Sequence, residues 1–114
     1  MDFSIEPHLD ESNNCWKVIL SGEIDIFSSA DVKTQLTQLM EEKAADMRVD
    51  CKQLEYIDST GLGALVGVLK NVKGHGKTLY LSSVKPNILK LFRITNLDKV
   101  FVLEEGAEDG ANDE

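Results

Sequence analysis

Two hydrophobic periods alternate along the chain, and this alternation constrains the fold more than any other feature. Five short segments are strand candidates, three of them with strict period-two alternation. They are residues 3–6, 15–20, 47–52, 78–82 and 100–103. Three segments with a period of three to four residues are helix candidates. They are residues 29–43, 60–73 and 86–93, with approximate ends. Strands that alternate with helices require parallel crossovers, so the order predicts an α/β fold.

The alternate positions of the predicted strands are polar, which restricts where the helices can pack. These positions hold Lys17, Arg48, Asp50, Lys52, Thr78, Tyr80 and Ser82. A parallel sheet covered on both faces would have almost wholly apolar strands. We therefore predict a mixed, mostly parallel sheet of about five strands with helices mainly on one face. The segment 3–6 ends at Pro7, which is typical of an edge strand.

Charge is distributed unevenly along the 114 residues. The chain has 20 acidic and 12 basic side chains and a net charge of −8, which argues against direct binding to nucleic acid or to an anionic membrane. Residues 70–99 carry a net charge of +6, whereas residues 104–114 carry −6 and lack large apolar side chains. We predict one folded domain at 1–103, followed by an acidic, disordered tail at 104–114.

Several classes of site and location are disfavoured by simple patterns. The N-terminus lacks the basic and apolar regions of a signal peptide, and no apolar run is long enough to span a membrane, so we expect a cytoplasmic protein. Cys15 and Cys51 have no partner at metal-ligand spacing, which predicts two reduced thiols used in packing. We therefore expect neither a metal nor a cofactor.

Two segments that follow predicted strands are candidate functional loops, because sites on α/β sheets gather at the carboxyl ends of the strands. They are residues 21–29 and 54–63. In the second, Ser59 is predicted as the N-cap of the next helix, and Gly61 and Gly63 each cost about 1 kcal/mol of helix propensity relative to Ala. Such a cost indicates close approach of a partner to the backbone. The alternative is that these polar side chains have only a structural role. Ser59 would then simply cap the helix, and Asp25 and Asp58 would each cap a loop.

Three stretches together resemble the STAS-domain anti-sigma factor antagonists of bacteria. They are Tyr56-Ile57-Asp58-Ser59-Thr60-Gly61-Leu62-Gly63, Leu20-Ser21-Gly22-Glu23-Ile24-Asp25 and the segment 91–101. The resemblance extends over roughly residues 3–103 and excludes the acidic tail. It implies a single STAS domain, and a regulatory binding protein in place of an enzyme.

The resemblance also implies a phosphorylation switch in partner choice. The unphosphorylated form would bind an anti-sigma factor that is also a serine kinase, which then releases its sigma factor. The kinase would phosphorylate Ser59, with Thr60 as a secondary candidate, and a PP2C-type phosphatase would restore the active form. We expect the partner to contact nine residues of the two loops. They are Glu23, Asp25, Ser28, Asp58, Ser59, Thr60, Gly61, Leu62 and Gly63.

Three other functions are alternatives to this one. A serine hydrolase needs a histidine base, but His75 lies about 20 Å from Ser59 along the predicted helix, and His8 lies in the N-terminal segment. A nucleotide-binding module is suggested by residues 74–78, yet the run lacks the first glycine of a Walker motif and leads into a strand. The third alternative is a STAS scaffold subunit of another signalling or transport assembly.

Overall fold

The structure, a computed structural model, describes residues 2–105, which form six strands and three α-helices. The strands are β1 (Phe3–Asp10), β2 (Cys15–Ile24), β3 (Asp46–Asp50), β4 (Leu54–Ile57), β5 (Leu79–Ser82) and β6 (Val102–Glu104). The helices are α1 (Ser29–Glu42), α2 (Ser59–Gly74) and α3 (Pro86–Ile94), and a 3-10 turn spans Leu97–Lys99. The predicted α/β class is confirmed, and the predicted strands and helices occur in the predicted order, with β4 as an additional strand between β3 and α2.

A single mixed sheet organises the domain. Its order is β1-β2-β3-β5-β6, and β4 pairs with β2 beyond the end of β3. Only the β1–β2 pair is antiparallel; the other pairs among these strands are parallel. β1 lies at one edge, as predicted, and Pro7 is tolerated there because an edge position needs no second hydrogen-bonded neighbour.

The helices pack on one face of this sheet, as the polar alternation predicts. Trp16, Met47 and Leu79 share a row across β2, β3 and β5, and the side chains of all three are buried in one core with residues of all three helices. The opposite face carries the polar positions. There the Arg48 guanidinium lies 4.1 Å from the centroid of the Tyr80 ring, so cation and aromatic ring stack in contact with solvent.

The strand predictions were incomplete. β1 was predicted over 3–6 but continues to Asp10. β2 continues through Ser21–Ile24, which we had assigned to a loop, because main-chain pairing with β1 and β4 extends it past the last apolar residue of its alternation. β4 was missed altogether. Its buried residues are Leu54 and Ile57, separated by two exposed ones, so it has no period of two.

The first residue of the predicted acidic tail belongs to the sheet. Glu104 is the last residue of β6, and its carboxylate lies 3.5 Å from the Arg48 guanidinium. Residues 106–114 of the predicted tail lie outside the described residues. Within the part that the structure describes, none of the helices has the length and apolar character needed to cross a membrane.

Candidate functional site

The two candidate loops lie side by side because their preceding strands are paired. β2 and β4 run parallel, with Glu23 opposite Tyr56 and Ile24 opposite Ile57. The Asp58 amide then donates to the Ile24 carbonyl over 3.2 Å, so the contact continues past the end of β4. The first residues of α2 are thereby placed next to the turn between β2 and α1, as the topological argument predicted.

The turn between β4 and α2 is built by Asp58. Its carboxylate accepts a hydrogen bond from the Gly61 amide over 2.9 Å, which makes Asp58 the N-cap of α2. The prediction that Ser59 is the N-cap is therefore wrong by one residue. Ser59 is the first residue of the helix and is exposed, as is Thr60.

This position matters for the chemistry of the Ser59 hydroxyl. The first backbone N–H groups of a helix have no intrahelical acceptor, and the positive end of the helix dipole lies there. A phosphate on Ser59 would be stabilised by both, although Asp58 already occupies the Gly61 amide. The hydroxyl does not have to be freed from a capping role before it can be modified, because Asp58 performs that role.

The two glycines of the first turns of α2 serve different purposes. A Cβ added to Gly61 would lie 2.6 Å from the Ile57 Cγ1 and 3.0 Å from the Ile24 carbonyl oxygen, so Gly61 allows close packing of helix on strands. A Cβ added to Gly63 would meet nothing within 4 Å. Packing therefore explains Gly61, whereas Gly63 leaves an exposed strip of helix backbone that internal packing does not require.

The turn between β2 and α1 is built by Asp25, which is buried. Its carboxylate accepts from the Phe27 amide at 2.9 Å and from the Ser28 amide at 3.1 Å, and the Ser28 hydroxyl lies 3.2 Å away. The Asp25 amide donates to the same hydroxyl over 2.9 Å. Asp25 and Ser28 thus bond to each other through both side chains and backbone.

Electrostatics support the ionised form of Asp25. Burial alone raises the pKa of this carboxyl, but the hydrogen bonds from Phe27 and Ser28 outweigh that effect and hold the pKa below its ordinary value. A charged carboxylate accepts stronger hydrogen bonds than a neutral one. The turn is therefore most firmly held when Asp25 is ionised.

Burial divides the nine predicted contact residues into two groups. Asp25, Ser28, Gly61 and Leu62 are buried, so they shape the site from within. Ser59, Thr60 and Gly63 are exposed, and Glu23 and Asp58 are partly buried. Direct contact with a partner remains a prediction for the exposed and partly buried residues.

Sequence reasoning missed two exposed apolar side chains in the first loop. Ile26 is 66% exposed and Phe27 is 87% exposed. An apolar pair is expected in the core by default. Its position immediately after an aspartate that can close an Asx turn is the signal that could have indicated otherwise.

The two features behind the hydrolase and nucleotide-binding alternatives have structural explanations. His75 is the C-cap of α2, at the opposite end of the helix from Ser59, and its Nδ1 lies 2.8 Å from the Asn71 carbonyl oxygen. The glycine-rich run 74–78 closes the end of that helix, where the Lys77 amide donates to the Val72 carbonyl. A phosphate loop presents amides at the start of a helix, so this run is a turn, as predicted.

The chain is similar to known proteins in sequence. A model of the STAS domain matches residues 6–110. An anti-sigma-B factor antagonist of Bacillus subtilis is 35% identical over 107 residues, which make up 94% of this chain and 97% of that protein.

Solved structures have the same fold. An anti-sigma factor antagonist from Mycobacterium paratuberculosis has a TM-score of 0.77 at 20% identity, covering 96% of this chain and 92% of that one. The anti-sigma factor antagonist SpoIIAA in its unphosphorylated form has a TM-score of 0.68 at 17% identity, covering 96% and 94%. SpoIIAA of Bacillus in its phosphorylated form has a TM-score of 0.70 at 16% identity, covering 95% and 96%.

Proposed function

This chain belongs to the STAS domain family, and from that premise we propose that it is an anti-sigma factor antagonist switched by phosphorylation of Ser59. The unphosphorylated protein binds an anti-sigma factor, which then releases its sigma factor for transcription. The anti-sigma factor is itself the serine kinase, and a PP2C-type phosphatase removes the phosphate. The proposal places the protein in the bacterial cytoplasm and assigns it binding in place of catalysis.

One observation carries the proposal: an exposed serine begins α2 beside a second turn held by hydrogen bonds, and this serine does not cap the helix. Ser59 can therefore be phosphorylated without disturbing the hydrogen bond that caps the helix. The relative in Bacillus subtilis is an anti-sigma-B factor antagonist, and SpoIIAA is known in both phosphorylation states. Both support the same assignment for this chain.

The switch acts on the partner interface and leaves the fold intact. Phosphorylation adds a charge of about −1.5 to −2 and three acceptor oxygens where the partner met a small hydroxyl. The added charge lies next to the Asp58 carboxylate, so the local surface becomes strongly anionic. A penalty of about 3 kcal/mol on the complex reduces affinity more than a hundredfold, whereas the helix N-terminus stabilises the phosphate in the free protein.

The test uses the kinase-type anti-sigma factor from the same bacterium. Incubation with ATP followed by mass spectrometry should place phosphate on Ser59, and Ser59→Ala should bind the kinase but accept no phosphate. Ser59→Asp should lose at least a hundredfold in affinity, while the control Ser12→Ala, in the exposed turn between β1 and β2 and outside both loops, keeps both binding and phosphorylation. Phosphate found elsewhere with Ser59 unmodified would refute the assignment, and capture of a transport ATPase alone would favour the scaffold alternative.

A further inference from the structure

We infer that Ile26 and Phe27 form an apolar anchor that inserts into an apolar pocket of the anti-sigma factor, beside the site of phosphorylation. The inference rests on the proposed function and adds a source of affinity to it. Ile26 is 66% exposed and Phe27 is 87% exposed, adjacent to each other at the tip of the turn between β2 and α1. The free energy falls when a partner covers two large apolar side chains that are otherwise exposed to water.

The backbone on both sides of the anchor is fixed by buried groups. The Phe27 amide donates to the Asp25 carboxylate over 2.9 Å, and the amides of Ser28 and Ser29 donate to the Asp25 carbonyl over 3.1 and 2.9 Å. Asp25, Ser28 and Ser29 are all buried. The turn therefore holds the two apolar side chains outward, and binding loses little backbone entropy.

The anchor is close enough to Ser59 for one partner to cover both. Phe27 is three residues past Ile24, so their Cα atoms are at most about 11 Å apart. Ser59 is two residues past Ile57, which is opposite Ile24 in the paired strands. A standard interface buries about 800 Å² on each partner, an area large enough to include both turns.

Charge around the anchor favours a different protein over a second copy of this chain. The first turn of α1 carries the exposed Asp31, and Glu23 and Asp58 lie at the ends of the two paired strands. Self-association through this surface would bring like charges together. The complementary partner has an apolar pocket with a basic rim.

Affinity for the anti-sigma factor, measured by calorimetry without ATP, tests the inference. Phe27→Ser should weaken binding at least tenfold, and the double variant Ile26→Ser with Phe27→Ser at least a hundredfold. Phe27→Leu should recover part of the loss because it restores an apolar side chain. The matched control is Ile94→Ser in α3. Ile94 is 68% exposed, close to the 66% of Ile26, but it lies on another element, so this substitution should have no effect on binding.

The outcomes separate the anchor from the function on which it rests. If the wild-type protein does not bind the anti-sigma factor, the proposed function fails. If the wild type binds and Phe27→Ser binds equally well, the anchor is refuted and the function stands. Sedimentation that shows a wild-type dimer dissociated by Phe27→Ser would assign the surface to a second copy and overturn the inference. At saturating partner, the anchor variants should still be phosphorylated on Ser59, with a raised KM and an unchanged kcat.

Discussion

The two turns of the site have the same construction and present opposite chemistry. In each, an aspartate carboxylate accepts hydrogen bonds from backbone amides two or three residues later in the chain. The two residues that follow the aspartate are exposed. After Asp25 these residues are the apolar pair at 26 and 27, whereas after Asp58 they are the hydroxyl pair at 59 and 60. Under the proposed function, the apolar pair would supply an affinity that does not change, and the hydroxyl pair would supply the group that a kinase modifies.

The two turns also differ in how firmly they are held. Asp25 is 7% exposed and bonds to two amides and a hydroxyl, whereas Asp58 is partly buried and its side chain caps α2 through one amide. A turn that holds apolar side chains in water needs several bonds to prevent their collapse onto the surface. Under the proposed function, affinity and control would lie on neighbouring but separate residues.

The largest effect on stability is expected from Gly61→Ala, which moves the two turns apart. Gly61→Ala places a methyl group 2.6 Å from the Ile57 Cγ1 and 3.0 Å from the Ile24 carbonyl, so helix and strands must move apart. Overpacking of this kind costs about 1–3 kcal/mol. Urea unfolding should show a correspondingly lower free energy of unfolding, and an unchanged value would mean that α2 adjusts without strain.

Gly63→Ala is the matched control for this prediction. The added methyl group meets no atom within 4 Å, so the helix should gain up to about 1 kcal/mol of stability. If the exposed backbone at Gly63 serves the partner, the same variant should bind the anti-sigma factor at least tenfold more weakly. A more stable protein with unchanged affinity would show that Gly63 lies outside the interface.

The contrast between regular and irregular elements explains how much of the fold was predictable. Trp16, Val18 and Leu20 alternate strictly because one side of β2 faces the helices, so local pattern and tertiary environment agree. β4 is held by pairing with β2, and its Leu54 and Ile57 are buried in a core formed with residues distant in sequence. Such information is absent from the local sequence, which explains why the strand was missed.

The site was predictable in position but not in detail. Its location follows from topology, and the Asp-Ser-Thr-Gly run marks a helix start. Which residue caps the helix depends on a choice between two adjacent side chains, and the structure selects Asp58. The exposure of Phe27 depends on the bonds of Asp25 to backbone amides, which period and composition do not encode.

A smaller effect is expected from Asp58, which caps α2 in the turn between β4 and α2. Asp58→Ala leaves the Gly61 amide without its acceptor and should cost about 1 kcal/mol, which thermal unfolding can measure. Asp58→Asn is the control and should remain near wild type, because asparagine caps as well as aspartate. Phe27 should keep its exposure in both variants, since its turn has its own bonds. A loss of binding by Asp58→Asn at full stability would assign the carboxylate charge to the partner contact.

The smallest effect is expected from pH, which changes the stability that Asp25 contributes in the turn between β2 and α1. The pKa of Asp25 is lowered in the folded protein, so the stability it contributes is fully present above the unfolded-state value of about 3.9 and is lost as the pH falls through the folded-state value. Asp25→Asn keeps an oxygen acceptor but removes the charge. The difference in Tm between wild type and this variant should therefore be constant above about pH 5 and shrink below about pH 4.

Nuclear magnetic resonance can localise this effect to the turn. The Phe27 amide resonance should titrate with Asp25, because the amide donates to that carboxylate over 2.9 Å, and the titration should disappear in Asp25→Asn. The Gly61 amide, which bonds to Asp58, should be unaffected by the substitution. A Tm difference that stays constant down to pH 2 would show that the Asp25 charge does not stabilise the turn. The apolar pair would then be held by the shape of the backbone alone.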